Sequence, residues 1–267
     1  MRSKNLRLWE NKVILAINIG NSSLRFGIFK GREFDTGWII QTRPFKSADE
    51  YIVGIHSMFK EHRIAVDLID DIIIASVVPA ISGAFREAVK NLFGRDARFI
   101  DYKMNSGLTF PIDEPSELGA DLLANAAAAY NLYRKDVIVA DFGTAMSFTI
   151  VRENGYLPGI VIAPGVISAL GSLFSDTSQL PQIELKVPER VIGIETIGCI
   201  QSGIVYGWAG LLDNIVNKID EEQGSQSKVI ITGGAAHIFE NVASRIDVYD
   251  PHHTLKGLQI LHELNPS

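Results

Sequence analysis

The sequence predicts an α/β protein made of two similar halves, and three observations carry that prediction. Apolar strand-like runs alternate with helix-like stretches from residue 13 onward. A pattern of apolar strand, Asx, one apolar residue, Gly, small polar residue and second strand occurs twice, once around Asn18 and once around Asp141. Placing Asn18 on Asp141 gives an offset of 123 residues, at which Gly20 falls on Gly143 and Asn21 on Thr144. A third glycine turn, Thr232-Gly233-Gly234, follows the apolar run Val229-Ile230-Ile231. A repeat near half the chain length implies two like domains facing each other across a cleft, expected here as residues 1–134 and 135–267.

Taken in order, Val13 to Ile17 reads as a buried strand, and Leu24 to Phe29 as a second strand leaving a tight turn. Ala48 to His62 is helix-like. Asp70 to Val78 is an isoleucine- and valine-rich buried strand stopped by Pro79, and Ile81 to Phe93 is helical again. Ala120 to Tyr133 is the clearest helix, rich in alanine and leucine. From Val137 the strand–turn–strand pattern restarts.

The chain has 267 residues, enough for a large core, with 46% hydrophobic and 21% charged residues, an ordinary globular composition. Twenty-five basic against 31 acidic residues leave a net charge of −6 with no basic block, which argues against nucleic acid or an anionic membrane as partner. A single cysteine, Cys199, excludes an internal disulfide and a cysteine-rich metal site, as expected of a cytoplasmic protein. The start is basic, but the VILAI that follows is too short for a signal sequence. Runs such as GIVIAPGVISALGSL are broken by Gly and Pro, so no membrane span is expected.

Strands that end in glycine turns expose backbone N–H groups, a ready anion site that needs no lysine. Ser22, Ser23 and Thr144 add hydroxyl donors, and a carboxylate just before such a turn can seat a cation against phosphates. There is no GxxxxGK[ST] or GxGxxG motif. Each turn alone is an ordinary hairpin; as a repeated set they point to a nucleotide.

The segments AINIGNSS, IIIASVVPA, PSELGAD, VADFGTAMSF, PGIVIAPGVISALGSLFSDTSQLP, IGIETIGCIQSGIVYG and VIITGGAA together resemble the type III pantothenate kinases, members of the actin- and hexokinase-like superfamily. The resemblance runs from about residue 13 to 260 with the motifs in family order. It implies two duplicated ribonuclease-H-like (actin-like ATPase) domains around a nucleotide cleft, a homodimer, and ATP-dependent phosphorylation of pantothenate. That reaction is the first step of coenzyme A synthesis, with Mg²⁺ and a monovalent cation, K⁺ or NH₄⁺. By motif, Asn18, Ile19, Gly20, Asn21, Ser22, Ser23, Leu24 and Arg25 correspond to the ATP phosphate loop, and Thr144 to an ATP contact. Asp141 corresponds to the monovalent-cation ligand and Asp121 to the general base. Gly119, Ala120 and Leu122 border the pantothenate. Thr196 corresponds to a substrate-contacting threonine that the family places across the dimer interface.

Three positions depart from the family pattern. Asn18 stands where the family has aspartate, which removes a charge that would attract a metal ion; the repeat retains Asp141 at the matching place. Leu122 replaces an arginine that would pair with a substrate carboxylate. Ile112 lies near a substrate-lining tyrosine position. These departures leave two other readings open: a weakened or non-catalytic nucleotide-binding relative, and a kinase for another small alcohol. Elsewhere, His252-His253 reads as a surface turn, and His237 as capping or exposed. Trp38 and Trp208 read as core or interface, Asp176 to Pro181 as a loop beside the acceptor pocket, and Asp220-Glu221-Glu222 as a solvated helix end before Gly224.

Overall fold

The computed structural model describes residues 12–111, 118–175 and 183–266, so Ile112 and the Asp176–Pro181 loop lie outside the described residues. The chain divides into two units. Unit 1 holds residues 12–108, 118–131 and 252–266 of the described chain; unit 2 holds Thr109–Pro111 and Leu132–Pro251.

Unit 1 is built on a five-stranded sheet in the order β3-β2-β1-β4-β5: β1 (Val13–Ile19), β2 (Ser23–Lys30), β3 (Glu33–Gln41), β4 (Asp71–Ser76) and β5 (Arg98–Phe99). β1 pairs antiparallel with β2 and parallel with β4. Helix α1 (Ala48–Glu61) starts at a Ser47–Glu50 capping box and buries Tyr51, Ile55 and Phe59, four residues apart along one face. Helix α2 (Pro79–Phe93) begins with proline, whose missing N–H costs nothing in a first turn, and ends on Gly94 at φ 66°. Ile81, Phe85, Ala88 and Val89 pack from it into a core shared with Phe26, Trp38 and Phe59. Trp38 is thus a core residue, stacked on Phe26 with ring centroids 5.2 Å apart.

Unit 2 repeats the plan. Its sheet runs β8-β7-β6-β9-β10, from β6 (Val137–Phe142), β7 (Ala145–Val151), β8 (Ile160–Pro164), β9 (Lys228–Gly233) and β10 (Val248–Tyr249). β6 again pairs antiparallel with its hairpin partner and parallel with the strand after the crossover. Helices α4 (Val166–Ser175) and α5 (Thr196–Gln223) follow β8. The repeat read from residues 18 and 141 is therefore a repeat of topology, and each of these residues is the last but one of its strand.

Helix α3 (Ala120–Tyr133) buries every residue from Leu123 to Ala129. Its small side chains let the last helix, α6 (His253–Leu264), approach closely: a β-carbon added at Gly257 would overlap the Ala124 carbonyl. The sequence assigns α6 to the second half, yet it packs on β1, β2 and β4 through Leu255, Leu258 and Leu261 and belongs to unit 1. The expected surface turn at His252-His253 also differs. His253 is buried with Nε2 3.2 Å from the Asn125 carbonyl oxygen, and His252 stacks on Phe34. Asp220 is tied down as well, bound to Arg245 and to the Ser227 N–H, while Glu221 and Glu222 are exposed.

Candidate active site

The β1–β2 turn of unit 1 spans Gly20 to Ser22. It is closed by the Gly20 N–H donating to the Ser23 carbonyl at 3.0 Å. Asn21 and Ser22 are exposed, whereas Ile19 and Leu24 are buried and anchor its two ends. The turn is held by Thr42, the residue that follows β3 and is fully buried. Its hydroxyl donates to the Gly20 carbonyl at 2.6 Å and its N–H to the Ser22 carbonyl at 3.1 Å. Sequence reasoning missed Thr42, because nothing within its own segment marks it; only the β2–β3 pairing, which sets Ser23 opposite Gln41, brings it to the turn.

Asp121 lies in the first turn of α3, half-buried, with Oδ1 accepting the Leu122 N–H at 2.8 Å. A side chain at Gly119 would place its β-carbon 2.7 Å from that oxygen, so glycine there leaves room for the carboxylate. Gly119, Ala120 and Leu122 are half-buried beside it. Both the Asn18–Arg25 turn and the Gly119–Leu122 segment belong to unit 1.

In unit 2, Asp141 stands at the end of β6 and Thr144 is exposed on the β6–β7 turn. A β-carbon at Gly233, which sits at φ 101°, would lie 2.5 Å from Asp141 Oδ1. Glycine at 165 lets the start of α4 press on the Gly143 and Thr144 carbonyls, and the Ser168 hydroxyl donates to the latter at 2.8 Å. Asp141 is flanked in register by Ser147 on β7 and Thr232 on β9; the Thr232 hydroxyl is buried with no hydrogen-bond partner. A carboxylate beside an unsatisfied buried hydroxyl is a donor set that suits a cation with oxygen ligands. Thr196 opens α5 and is exposed; the helix is capped by Glu195, whose carboxylate accepts the Ile197 and Gly198 N–H groups.

The donor set of the β1–β2 turn is different. From Asn18 to Arg25 it offers amides, hydroxyls and a guanidinium but no carboxylate. Among the described residues, no group of three or more His, Cys, Asp or Glu side chains is placed to hold a metal ion. A divalent ion bound to this turn would find no charged protein ligand there.

Residues 14–218 match the family model described as Type III pantothenate kinase. The chain belongs to the type III pantothenate kinase family. A type III pantothenate kinase of Agathobacter rectalis is 36% identical over 94% of this chain and 96% of its own length. That of Desulfosudis oleivorans is 38% identical over 93% of this chain and 98% of its own. Similarity to solved structures is a matter of fold. A Campylobacter jejuni protein described as a Baf family transcriptional activator superposes with TM-score 0.55 at 20% identity, covering 92% of this chain and 96% of its own. The ethanolamine utilization protein EutJ of Carboxydothermus hydrogenoformans does so with TM-score 0.53 at 14%, covering 92% of this chain and 89% of its own. The two five-stranded sheets of like topology are thus those of a type III pantothenate kinase family member. Within this family member the turn-pinning Thr42 and the Ser147–Asp141–Thr232 row became visible only in three dimensions.

Proposed function

We infer that this chain transfers the γ-phosphoryl group of ATP to pantothenate, the first step towards coenzyme A. The observation that carries this reading is the 36–38% identity to pantothenate kinases that runs through both units and covers nearly the whole of each chain. The pantothenate hydroxyl oxygen attacks the γ-phosphorus, the bond to the β–γ bridging oxygen breaks, ADP leaves, and Asp121 accepts the hydroxyl proton. Two features suit Asp121 to this role. It stands in the first turn of α3, where backbone N–H groups favour a negative charge, and a β-carbon at position 119 would crowd its Oδ1 at 2.7 Å. Asn18 to Arg25 receive the ATP phosphates, and Thr144 contacts the nucleotide. Gly119, Ala120 and Leu122 border the acceptor. Asp141, with the Thr232 and Ser147 hydroxyls beside it, seats K⁺ or NH₄⁺. Mg²⁺ carried on ATP would contribute positive charge on the phosphates, while the Asn18–Arg25 turn itself offers it no carboxylate.

The working form is a homodimer in the cytoplasm. Unit 2 exposes Val191, Ile192 and Ile194, the last two at 81% and 83%, immediately before Thr196, an apolar run that a second copy would cover. No helix among the described residues is long and apolar enough to cross a membrane.

The test is an assay of purified protein with ATP, Mg²⁺ and K⁺ on pantothenate. Asp121→Asn should lower kcat by about 10²–10⁴ while ATP still binds; unchanged turnover in that variant overturns the assignment of the base. Asn18 and Leu122 favour a second reading, a relative that binds nucleotide with little turnover or phosphorylates an alcohol lacking a carboxylate. Activity on uncharged alcohols but not on pantothenate, or turnover gained only in the Asn18→Asp, Leu122→Arg double variant, would establish it.

A further inference from the structure

The two sheets set side chains in equivalent rows across three neighbouring strands. In unit 1, Arg25 on β2, Asn18 on β1 and Ala75 on β4 are partners in register. In unit 2 the matching row reads Ser147, Asp141 and Thr232. Partners in register leave the same face of a sheet with β-carbons about 5 Å apart. The unit 2 row carries three oxygen-bearing side chains and one negative charge. The unit 1 row carries one positive charge and a single side-chain oxygen, the amide Oδ1 of Asn18.

That oxygen is buried with no hydrogen-bond partner, in a residue only 9% exposed. Arg25 is half-buried, and no ion pair or hydrogen bond engages its side chain among the described residues. An unsatisfied acceptor and an unengaged five-donor guanidinium thus stand on adjacent strands, facing the same way. A carboxylate at position 18 would satisfy the guanidinium and cancel its charge, and would repel a phosphate unless a cation lay between them. An amide accepts one guanidinium N–H and cancels nothing, leaving the charge and the remaining N–H donors for a ligand.

Resting on the reading of Asn18 to Arg25 as the phosphate loop, we propose that unit 1 of this chain is a polyphosphate site that works without a divalent ion. When phosphate binds, Asn18 Oδ1 takes up one Arg25 N–H and orients the guanidinium, and Arg25 takes the phosphate charge that a metal bridge would otherwise carry. Asn18 is then a positioning residue and Arg25 the contact.

Calorimetric titration of the whole protein with ATP, and separately with inorganic tripolyphosphate, in EDTA and in Mg²⁺ tests this. The wild-type Kd for ATP in EDTA is expected within about threefold of that in Mg²⁺. Arg25→Gln should weaken metal-free binding of both ligands at least about tenfold. Asn18→Asp should do the same in EDTA but recover on adding Mg²⁺. Should Arg25→Gln fail to fold by circular dichroism, Arg25→Lys carries the test, with a weakening of about two- to tenfold expected from loss of the planar fork. Binding that requires Mg²⁺, no binding under either condition, or metal-free binding indifferent to position 25 overturns the proposal. Mg²⁺-dependent binding in a protein that phosphorylates pantothenate would sink this inference and spare the kinase reading. Metal-free binding with no turnover would do the reverse.

Discussion

Replacing Thr42 by valine removes one hydroxyl from beneath the β1–β2 turn and alters almost nothing else. The side chain is fully buried and keeps its shape, and the backbone bond from its N–H to the Ser22 carbonyl survives. What goes is the 2.6 Å bond to the Gly20 carbonyl. Gly20 is half-exposed, so water can partly replace the donor, which sets the loss near the ordinary net worth of a hydrogen bond, about 0.5–1.5 kcal/mol. If the turn receives ATP phosphates, the bound state needs it ordered and the loss falls on nucleotide affinity, a rise in KM for ATP of about 2- to 12-fold. Steady-state kinetics with ATP and pantothenate varied separately should show that rise with kcat and the pantothenate KM unchanged. Thr42→Ser, which keeps the hydroxyl, should behave as wild type. An ATP KM in Thr42→Val indistinguishable from wild type, or a serine variant as impaired as the valine one, would refute the reasoning.

If Asp141 seats K⁺, Gly233→Ala should abolish activation by K⁺ while leaving ATP binding in place, since the new methyl would press on Asp141 Oδ1 in a backbone at φ 101°; rates with and without K⁺ measure it. Gly257→Ala should lower stability by about 1–3 kcal/mol or more, because the methyl forces α6 away from the Ala124 carbonyl, and the urea midpoint reports it. His262 is 2% exposed; burial holds its pKa below the usual value, with Arg98 and Lys12 acting the same way and Asp71, 3.3 Å away, partly opposing them. The unfolded chain therefore binds this proton first, so stability is full above pH 6.5 and falls as pH drops below it, by at most about 1.4 kcal/mol per pH unit. His262→Leu should flatten urea midpoints between pH 7 and 5; an unchanged slope would remove His262 as the cause.

Much of the scaffold could be read from the chain because its determinants are local. An apolar run, an Asx, a glycine and a second run make a hairpin wherever they occur, and the 123-residue offset was enough to pair Asn18 with Asp141, which the registers of β1 and β6 place at equivalent points. Helices α1 and α2 follow from four-residue apolar spacing and from their capping residues. The allegiance of α6 could not be read this way. Its apolar face at Leu255, Leu258 and Leu261 demands a partner, but the pattern does not say which sheet supplies one. His253 misled for the same reason: a histidine pair after proline resembles a surface turn until Asn125, 128 residues away in the chain, lies against it.

The residues of the candidate site divide in the same way. Sequence alone determined the kinds of atom at each glycine corner, including the amide at 18 and the carboxylates at 121 and 141, because side-chain chemistry travels with the residue. Only the tertiary structure decided what stands beside them: Thr42 under Gly20, Arg25 across from Asn18, and Thr232 and Ser147 flanking Asp141. Strand register and long-range packing set those neighbours, and the resulting fields and hydrogen bonds depend on distances of a few ångströms between segments far apart in the chain.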